Sequence, residues 1–449
     1  MEVTMNQKML IGGAIALAAA GGICLLRHSA RSTESNAIRL HLNGKQPAPD
    51  FQADKLDLNG NGTVDRFDLF RAKLRAVFNG KDALYPAYYT ANHAKQLGRT
   101  AFHPETGTLW CSHSGTGIAF RFYGNECRLY LTADSAYSSG EAAAARYAVF
   151  LNDELVTDTQ LLEPEQTVKL INPADENTPA AVRVVKLSES AFSSLGIREI
   201  CIAASKGTSE KHPDGLLIPE EPNPHLIEFI GDSITCGYGI DGVYGTDTFK
   251  TATENAMKSY AYRTAQILHA DYSLVSFSGY GIISGYTSNG KALTNLVVPR
   301  YYAQTGHNAA ALEEHHKIQD DLWGFAPQPD LIVMNLGTND ASYTGSDSGK
   351  QREFAAGYTS FLKTIREKNP DAPILCTLGI MGQGLCDAID LAVMNYTEET
   401  GDTNIRTMRF DMQSETEDGV VIDWHPSAVT HSKAAEKLSG EIRAWLGWD

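Results

Sequence analysis

The stretch HLIEFIGDSITCGYG, residues 225–239, decides the fold predicted for the second half of the chain. An apolar run ends at Gly231, and Asp232, Ser233 and two more glycines follow it. A strand that ends at a small residue and turns sharply exposes the next side chain at the edge of its sheet, where a hydroxyl is available as a nucleophile. An ordinary strand-to-loop turn has the same pattern, so the function of Ser233 depends on partners elsewhere in the chain.

Three more apolar runs follow this first one, and helix-like segments separate them. The runs are YSLVSFSG (272–279), PDLIVMNLG (329–337) and APILCTLG (372–379), and the helix-like segments include SYAYRTAQILHA (259–270) and YTSFLKTIREKN (358–369). Apolar strands that alternate with helices predict an α/β fold with a parallel sheet covered on both faces. In such sheets ligands bind at the carboxyl ends of the strands, so we expect the functional site there.

The chain before PEEPNPH, residues 219–225, has a different pattern. From about residue 108 to 204 it contains short β-branched and aromatic stretches with period-two alternation, such as GIAFRFYG (117–124) and YAVFLNDELV (147–156). Within the latter, LNDEL predicts a tight hairpin. Regular short strands without helices predict a β-sandwich or barrel, and the three prolines of PEEPNPH predict a hinge after it.

Four blocks of the second half offer groups suited to acyl transfer. They are GDSIT with Ser233, FSGYG with Gly279, NLGTND with Asn339 and VIDWHPS with His425. A neutral imidazole can accept the serine proton at neutral pH. The developing oxyanion needs donors, and the backbone N–H of Ser233, a glycine N–H and the Asn339 amide meet this need. Gly279 is the predicted glycine donor, with Gly281 as the alternative.

Together these blocks resemble the SGNH, or GDSL, hydrolases, whose Ser, Gly, Asn and His occur in this order on a flavodoxin-like sheet. About residues 90–449 are similar to carbohydrate esterase family 2, in blocks such as VVPRYY (297–302) and DWHP (423–426). The resemblance implies a jelly-roll β-sandwich over residues 85–218, joined to a flavodoxin-like SGNH domain over residues 223–449. It also implies a serine esterase that removes acetyl groups from plant cell-wall polysaccharides, often at sugar O6, through an acyl-enzyme. No catalytic cofactor is expected.

The acid partner of His425 departs from the usual SGNH pattern. These enzymes usually place an Asp three residues before the histidine, but that position is Ile422, and Asp423 lies two before. In an extended segment, side chains at i and i+2 share a face, so Asp423 is the predicted orienting residue. The alternative is a backbone carbonyl, because some members of carbohydrate esterase family 2 lack an acid partner.

Aromatic residues adjoin the same blocks and are suited to a sugar ring. Tyr280 and Trp424 are the preferred substrate-binding residues, and Tyr238 and Trp323 are further candidates. The same catalytic set also occurs in lipases and thioesterases, but loops such as SGYTSNGK (284–291) suit sugars better than acyl chains. A mainly carbohydrate-binding surface protein is the third alternative.

Composition limits the partners and the role of the cysteines. The net charge is −16, from 38 basic and 54 acidic residues, which argues against a nucleic-acid partner. An acetylated polysaccharide or oligosaccharide is the expected partner. The seven cysteines form no C-x-x-C pair, and we expect them to act as small buried hydrophobic residues.

The N-terminus predicts export. Residues 9–26, MLIGGAIALAAAGGICLL, are uncharged and are followed by Arg27, His28 and Arg31. Residues 1–31 are therefore either a cleaved signal peptide or a retained membrane anchor. A polar linker is predicted over residues 32–50, and the protein is expected to be secreted or anchored at the cell surface.

A calcium loop followed by a helix is predicted within residues 51–80. In DLNGNGTVDRFD (57–68), oxygen side chains alternate along the chain and Gly62 allows the sharp bend, which is the arrangement that Ca²⁺ requires. The segment resembles a dockerin repeat, although dockerins use two such repeats and the sequence contains one. It predicts a structural calcium ion and, by the resemblance, a cohesin-type scaffold as partner. The predicted ligands are Asp57, Asn59, Asn61, Thr63 and Asp68.

Overall fold

The computed structural model of the protein describes residues 84–313 and 316–448. The strands of the first part are β1 (Tyr85–Tyr89), β2 (Lys95–Leu97), β3 (Thr100–His103), β4 (Thr108–Cys111), β5 (Gly117–Phe122), β6 (Glu126–Ala133), β7 (Arg146–Leu151), β8 (Glu154–Gln160), β9 (Glu165–Ile171), β10 (Ala180–Lys186), β11 (Leu195–Ala204) and β12 (Leu217–Pro219). The strands of the second part are β13 (Leu226–Gly231), β14 (Asp271–Ser276), β15 (Leu331–Asn335), β16 (Ile374–Leu378) and β17 (Ile405–Arg409). The α-helices are α1 (Lys206–Lys211), α2 (Ser233–Cys236), α3 (Tyr260–Ile267), α4 (Asp340–Thr344), α5 (Ser348–Lys368), α6 (Cys386–Thr400) and α7 (Ala428–Leu446).

Strands β1–β12 form two antiparallel sheets that pack face to face, here called the β-sandwich. One sheet has the order β3-β4-β11-β6-β9 with β1 beside β11, and the other has the order β12-β5-β10-β7-β8 with β2 beside β5. Leu129 and Leu131 of one sheet share a buried core with Phe120 and Val182 of the other. The predicted sandwich is confirmed, while its jelly-roll connectivity stays a prediction.

The predicted LNDEL hairpin joins β7 to β8. Asn152 and Asp153 occupy the turn with φ of 52° and 64°, and Leu151 pairs with Glu154. Two consecutive residues with positive φ match the right-handed twist of the strands, and Asn and Asp tolerate this conformation better than most residues. The hairpin prediction is therefore confirmed.

Strands β13–β17 form a parallel sheet, here called the sheet of the α/β domain. Its order is β14-β13-β15-β16-β17, which is 2-1-3-4-5 when counted within the domain, and this is the flavodoxin-like order. Strands β15 and β16 are buried along their whole length. Helices α5 and α6 cover one face, and α3 and α7 cover the other. The predicted parallel sheet is confirmed.

Helix α5 begins well before the helix-like segment that the sequence pattern identifies. It starts at Ser348 because the side chain of Asp347 accepts the N–H groups of Gly349 and Lys350. The polar first turns lack a clear apolar period, so the cap, and not the periodicity, marks this start.

The β-sandwich and the α/β domain are joined by charged as well as apolar contacts. Leu97 and Leu187 of the β-sandwich belong to a small buried cluster against which Tyr272 of β14 packs. Several ion pairs among the described residues cross the same boundary, and three of them have strongly buried partners. These three are Arg99–Glu228 at 2.9 Å, Arg146–Asp241 at 2.8 Å and Lys95–Asp271 at 2.7 Å.

Several predictions for the N-terminus fall outside the described residues. These are the signal peptide or anchor (1–31), the linker (32–50) and the calcium loop with its helix (51–80). Within residues 84–313 and 316–448, none of the helices is both long and apolar enough to cross a membrane. The six cysteines of these ranges lie buried, as predicted.

Candidate active site

Ser233 is the first residue of α2 and comes two residues after β13 ends at Gly231. A Cβ at Gly231 would lie 2.0 Å from Thr235 Oγ1, so a larger residue does not fit this turn. The side chain of Asp232 caps the helix by accepting the N–H of Ile234 at 3.0 Å. Burial raises the pKa of Asp232 to about 7. The sharp turn places Ser233 at the carboxyl edge of the sheet.

His425 reaches Ser233 from the loop before α7. Its Nε2 lies 2.8 Å from Ser233 Oγ, and its Nδ1 lies 3.2 Å from the carbonyl oxygen of Ile422. A proton on Nδ1 can be donated to this carbonyl, which leaves Nε2 free to accept the serine proton. Burial lowers the pKa of His425 to about 4, so the imidazole is neutral at neutral pH.

The structure places the carboxylate of Asp423 on Tyr238 and not on His425. This carboxylate accepts a hydrogen bond from the Tyr238 hydroxyl at 2.8 Å, and the carbonyl of Ile422 lies at His425 Nδ1 in its place. The prediction assumed an extended segment, but Asp423 and Trp424 have φ of 50° and 62°. This left-handed turn removes the shared face at i and i+2. The backbone-carbonyl alternative is the one that the geometry favours.

The two candidate glycines of the FSGYG block differ in their surroundings. Gly281 donates its N–H to the Leu296 carbonyl at 3.2 Å, and a Cβ there would lie 2.1 Å from the carbonyl oxygen of Ser284. Gly279 has φ of 80°, and the position of its missing Cβ is open. The N–H of Gly281 is therefore already used in a hydrogen bond within the domain. Gly279 is the better candidate for an oxyanion donor.

Asn339 lies buried directly before α4. Its Nδ2 donates to the Tyr280 carbonyl at 2.8 Å and lies 3.5 Å from Asp232 Oδ2. The side chain makes no helix-capping hydrogen bond. The amide is thus held beside the residue that precedes Ser233, which is where an oxyanion donor is needed.

Comparison with known proteins agrees with this geometry. Residues 229–431 match the GDSL-like Lipase/Acylhydrolase family, and residues 96–210 match the Carbohydrate esterase 2 N-terminal family. The chain thus carries a GDSL-like hydrolase domain behind a carbohydrate esterase 2 N-terminal domain. Together with the Ser233–His425 pair, these matches support a carboxylic ester hydrolase.

The matches to individual relatives cover most of the chain. The chain is 30% identical to the cellulase/esterase CelE of Acetivibrio thermocellus over 356 residues, which are 78% of this chain and 39% of that protein. It is 27% identical over 358 residues to an acetylxylan esterase / glucomannan deacetylase of Cellvibrio japonicus, covering 79% of this chain and 90% of that protein. A family two carbohydrate esterase from Clostridium thermocellum, solved with cellohexaose, superimposes with a TM-score of 0.65 at 26% identity, covering 79% and 99% of the two chains.

Asp340 of the GDSL-like domain is a site residue that sequence reasoning missed. Its carboxylate accepts the backbone N–H groups of Ile282, Ile283 and Ser284 at distances of 2.8–3.1 Å. Burial raises its pKa to about 6. The carboxylate fixes the loop that follows Gly279. The acidic residue next to Asn339 in the NLGTND block was the available signal.

Glu189 of the β-sandwich also contacts the segment that carries Gly279, and no pattern in the sequence predicted this contact. Its Oε2 accepts the N–H of Ser278, the residue before Gly279, at 2.7 Å. Its own N–H donates to Glu254 Oε2 at 2.8 Å. Burial raises the pKa of both carboxyl groups. The connection from β10 to β11 thereby holds the segment that carries the candidate oxyanion glycine.

The aromatic residues separate into exposed and packed groups. Trp424 is 38% exposed beside His425. Tyr238 stacks on Phe249 at 3.9 Å, and its ring centre lies 4.4 Å from that of His425. Tyr286 was not predicted, yet it is 60% exposed and donates its N–H to the Gly279 carbonyl at 2.8 Å.

Two of the predicted aromatic residues do not form an open surface. Tyr280 is only 8% exposed because its ring packs against Phe277 and Tyr301. Trp323 lies over the Arg99 guanidinium at 5.6 Å, a group that is paired with Glu228 in the domain boundary. Tyr280 thus packs inside the domain next to the site. Trp323 belongs to the boundary between the β-sandwich and the α/β domain.

Two clusters of the described residues have a composition that could hold a metal ion. One is Glu189, Cys236 and Glu254, and the other is His103, His316 and Asp321. In the first, one oxygen of each carboxylate already accepts a backbone N–H. Neither cluster includes Ser233 or His425.

Proposed function

We propose that the protein is a serine esterase that removes O-acetyl groups from plant cell-wall polysaccharides. The observation that carries this proposal is the 2.8 Å contact between Ser233 Oγ and the Nε2 of His425, whose Nδ1 faces a carbonyl. With its proton on Nδ1 and a pKa of about 4, His425 is neutral at neutral pH, and its Nε2 can act as the general base.

In the first half of the proposed reaction, Ser233 Oγ attacks the acetyl carbonyl carbon while His425 Nε2 accepts the hydroxyl proton. The carbonyl oxygen becomes an oxyanion near the N–H groups of Ser233 and Gly279 and the Asn339 amide. The bond from the acetyl carbon to the sugar oxygen then breaks. His425 returns the proton to that oxygen, which leaves as a sugar hydroxyl.

In the second half, water releases the acetyl group from Ser233. His425 accepts a proton from water, and the water oxygen bonds to the acetyl carbon with the same oxyanion donors in place. The ester bond to Ser233 Oγ breaks, and the proton returns to the serine. The products are acetate and the free enzyme, and no cofactor takes part.

Exposed aromatic rings beside the site favour a sugar over a long acyl chain. Trp424 and Tyr286 flank the catalytic residues and are 38% and 60% exposed, which suits stacking on a sugar ring. The relatives named as acetylxylan esterase / glucomannan deacetylase support xylan or glucomannan as the substrate class. Sugar O6 is the hydroxyl that we propose to test first.

Acetate release tests this proposal. The full chain is incubated with acetylated xylan, acetylated glucomannan and monoacetylated sugars that differ in the position of the ester, and acetate is measured. Ser233→Ala is the matched control because it removes only the nucleophile. Faster hydrolysis of a 4-nitrophenyl octanoate than of the acetate would favour a lipase or thioesterase and would exclude the sugar deacetylase.

A carbohydrate-binding role is the second candidate. It is supported by the likeness to an esterase solved in complex with cellohexaose. A chain that binds xylan or glucomannan and releases no acetate from either would favour binding over catalysis.

Export, calcium and a scaffold partner remain proposals for residues 1–80. We propose a secreted or surface-anchored protein with a structural calcium ion in the loop 57–68 and a cohesin-type scaffold as partner. Calorimetric titration of the full chain with calcium, compared with an Asp57→Ala, Asp68→Ala double variant, tests the ion. Equal heats for the two chains would exclude this loop as the calcium site.

A further inference from the structure

Two histidines and an aspartate meet at the boundary between the β-sandwich and the α/β domain. His103 ends β3, whereas His316 and Asp321 come from the segment that precedes β15. His103 Nε2 lies 3.0 Å from Asp321 Oδ2, and His316 Nε2 lies 2.9 Å from Asp321 Oδ1. The aspartate thus lies between two imidazoles that come from different domains.

The ligand atoms of these three residues are spaced as in a metal site. One ligand atom from each residue lies within 4.8 Å of the others. In four-coordinate zinc sites the metal–ligand distance is about 2.0–2.2 Å for imidazole nitrogen and carboxylate oxygen, which places ligand atoms roughly 3.4 Å apart. Small rotations of the side chains would place a single ion between the two Nε2 atoms and the carboxylate.

A second carboxylate supports this arrangement. His103 Nδ1, which faces away from Asp321, lies 3.8 Å from Glu313 Oε2. The other oxygen of Glu313 accepts a hydrogen bond from Thr108 Oγ1 at 2.9 Å. Histidines that bind metals generally donate their remaining ring N–H to a carboxylate or carbonyl group, which fixes the ring and its tautomer. Glu313 is placed for this role on His103.

The segment that carries His316 and Asp321 is held in place without a metal. Leu312 and Ile318 pack on Ala101 and Trp110 of the β-sandwich. Ile318 and Asp321 are further fixed by backbone hydrogen bonds, including one from the Thr305 N–H to the Asp321 carbonyl at 3.0 Å. A site with preplaced ligands loses little conformational freedom when the ion binds.

Access to solvent is sufficient for an ion to enter. The side chains of His103, His316 and Asp321 are 14%, 40% and 21% exposed. Because the cluster is partly exposed, water can supply the fourth ligand of a four-coordinate ion. This exposure separates the cluster from Glu189, Cys236 and Glu254, which are buried.

We propose that His103, His316 and Asp321 bind one divalent transition-metal ion of the zinc class, with Glu313 orienting His103. Two imidazoles with one carboxylate favour zinc over calcium or magnesium, which prefer ligand sets made only of oxygen. The ion joins the β-sandwich to the segment before β15 and stabilises the boundary. It takes no part in ester hydrolysis.

The test measures zinc binding to the full chain in the presence of millimolar calcium and magnesium, which occupy oxygen-only sites. Competition with a chromogenic chelator should give one zinc ion per chain. Asp321→Asn and His316→Asn should each weaken binding at least about 10-fold, because even residues that only orient a ligand contribute about 10–100-fold. Glu313→Gln should weaken binding less than either. His269→Asn is the matched control, since it removes an exposed histidine outside the cluster.

Thermal unfolding provides a readout that does not depend on activity. Zinc should raise the melting temperature of the wild type and of His269→Asn, and it should leave that of His316→Asn unchanged. His316 is well exposed, so its replacement does not disturb a packed core. Absence of stoichiometric zinc in the wild type, or equal zinc affinity in the wild type, His316→Asn and Asp321→Asn, would overturn the proposal and leave a metal-free ion-pair cluster.

Discussion

The Glu189 carboxylate accepts the Ser278 N–H at 2.7 Å, so a residue of the β-sandwich holds the backbone next to Gly279 of the GDSL-like domain. Glu189 touches neither Ser233 nor His425 through a hydrogen bond among the described residues. Its contribution to catalysis therefore passes through the position of the oxyanion segment.

Glu189→Ala should lower kcat while KM changes little. The variant removes the acceptor for the Ser278 N–H, and we expect kcat to fall about 10-fold, or ~1.4 kcal/mol in the barrier. Glu189→Gln keeps an oxygen at this place and should stay within about threefold of wild type, since it preserves the hydrogen bond. Steady-state kinetics on 4-nitrophenyl acetate measure both. Equal losses in the two variants would contradict a positioning role.

Asp423→Asn should have little effect on turnover. The Ile422 carbonyl, and not the carboxylate, lies at His425 Nδ1, so we expect activity within about tenfold of wild type, whereas His425→Ala should lose about 10³-fold or more. Tyr238→Phe is a second test of the role of Asp423, because it breaks the Tyr238–Asp423 hydrogen bond. A loss in Asp423→Asn as large as that in His425→Ala would restore the aspartate as the orienting acid.

Activity should persist into mildly acidic solution. Only neutral His425 accepts the serine proton, and its pKa lies near 4 because burial disfavours the charged ring. We therefore expect kcat/KM to keep its full value well above this pKa and to decrease as the pH falls through about 4. A pH–rate profile of the free enzyme reports this value. A midpoint near 6.5, the ordinary value for histidine, would show that the base is not desolvated.

Asn339→Ala should lower kcat by about 10²–10³-fold, the usual effect of removing one oxyanion donor. The amide also holds the Tyr280 carbonyl, so part of the loss could come from a shift of that segment. A melting curve separates the two effects. Unchanged kcat in a stably folded variant would remove Asn339 from the oxyanion site.

The Arg99–Glu228 pair should be important for stability. The Arg99 side chain is fully buried and that of Glu228 is 6% exposed, so Arg99→Ala leaves a buried carboxylate without its positively charged partner, with only the hydroxyls of Tyr302 and Ser273 as donors among the described residues. We expect a loss of about 3–5 kcal/mol in the free energy of unfolding. Lys363→Ala is the control because the Lys363–Glu399 pair is exposed, and such pairs contribute about 0–1 kcal/mol. Urea denaturation measures both, and similar losses in the two variants would contradict the expected difference.

Local patterns in the sequence were sufficient to predict the two domain types and the edge of the sheet where Ser233 lies. Strand periodicity, glycines after apolar runs and proline spacing each depend on a few neighbouring residues. The contact of Asp423 with Tyr238 could not be predicted in this way because it depends on backbone torsion. Nothing in VIDWHP requires two consecutive left-handed residues, and these replace the side-chain partner with a carbonyl.

Contacts between distant segments of the chain could not be predicted from the sequence either. Glu189 and Ser278 are separated by 89 positions and belong to different domains, and neither stands in a motif that points to the other. The same holds for His103 and Asp321, which are 218 positions apart. Tyr280 was predicted to bind substrate because it adjoins Gly279 in sequence, and packing against Phe277 and Tyr301 leaves its ring only 8% exposed.

The ion pairs and the Glu189 contact across the domain boundary bear on how such a protein can change over evolutionary time. A gene fusion that joined residues 223–449 to an unrelated partner module would separate Glu189 from Ser278 and Arg99 from Glu228 in a single event. The new combination would lose activity and stability until these contacts were replaced. The β-sandwich and the GDSL-like domain are therefore expected to be inherited together, as one unit of exchange.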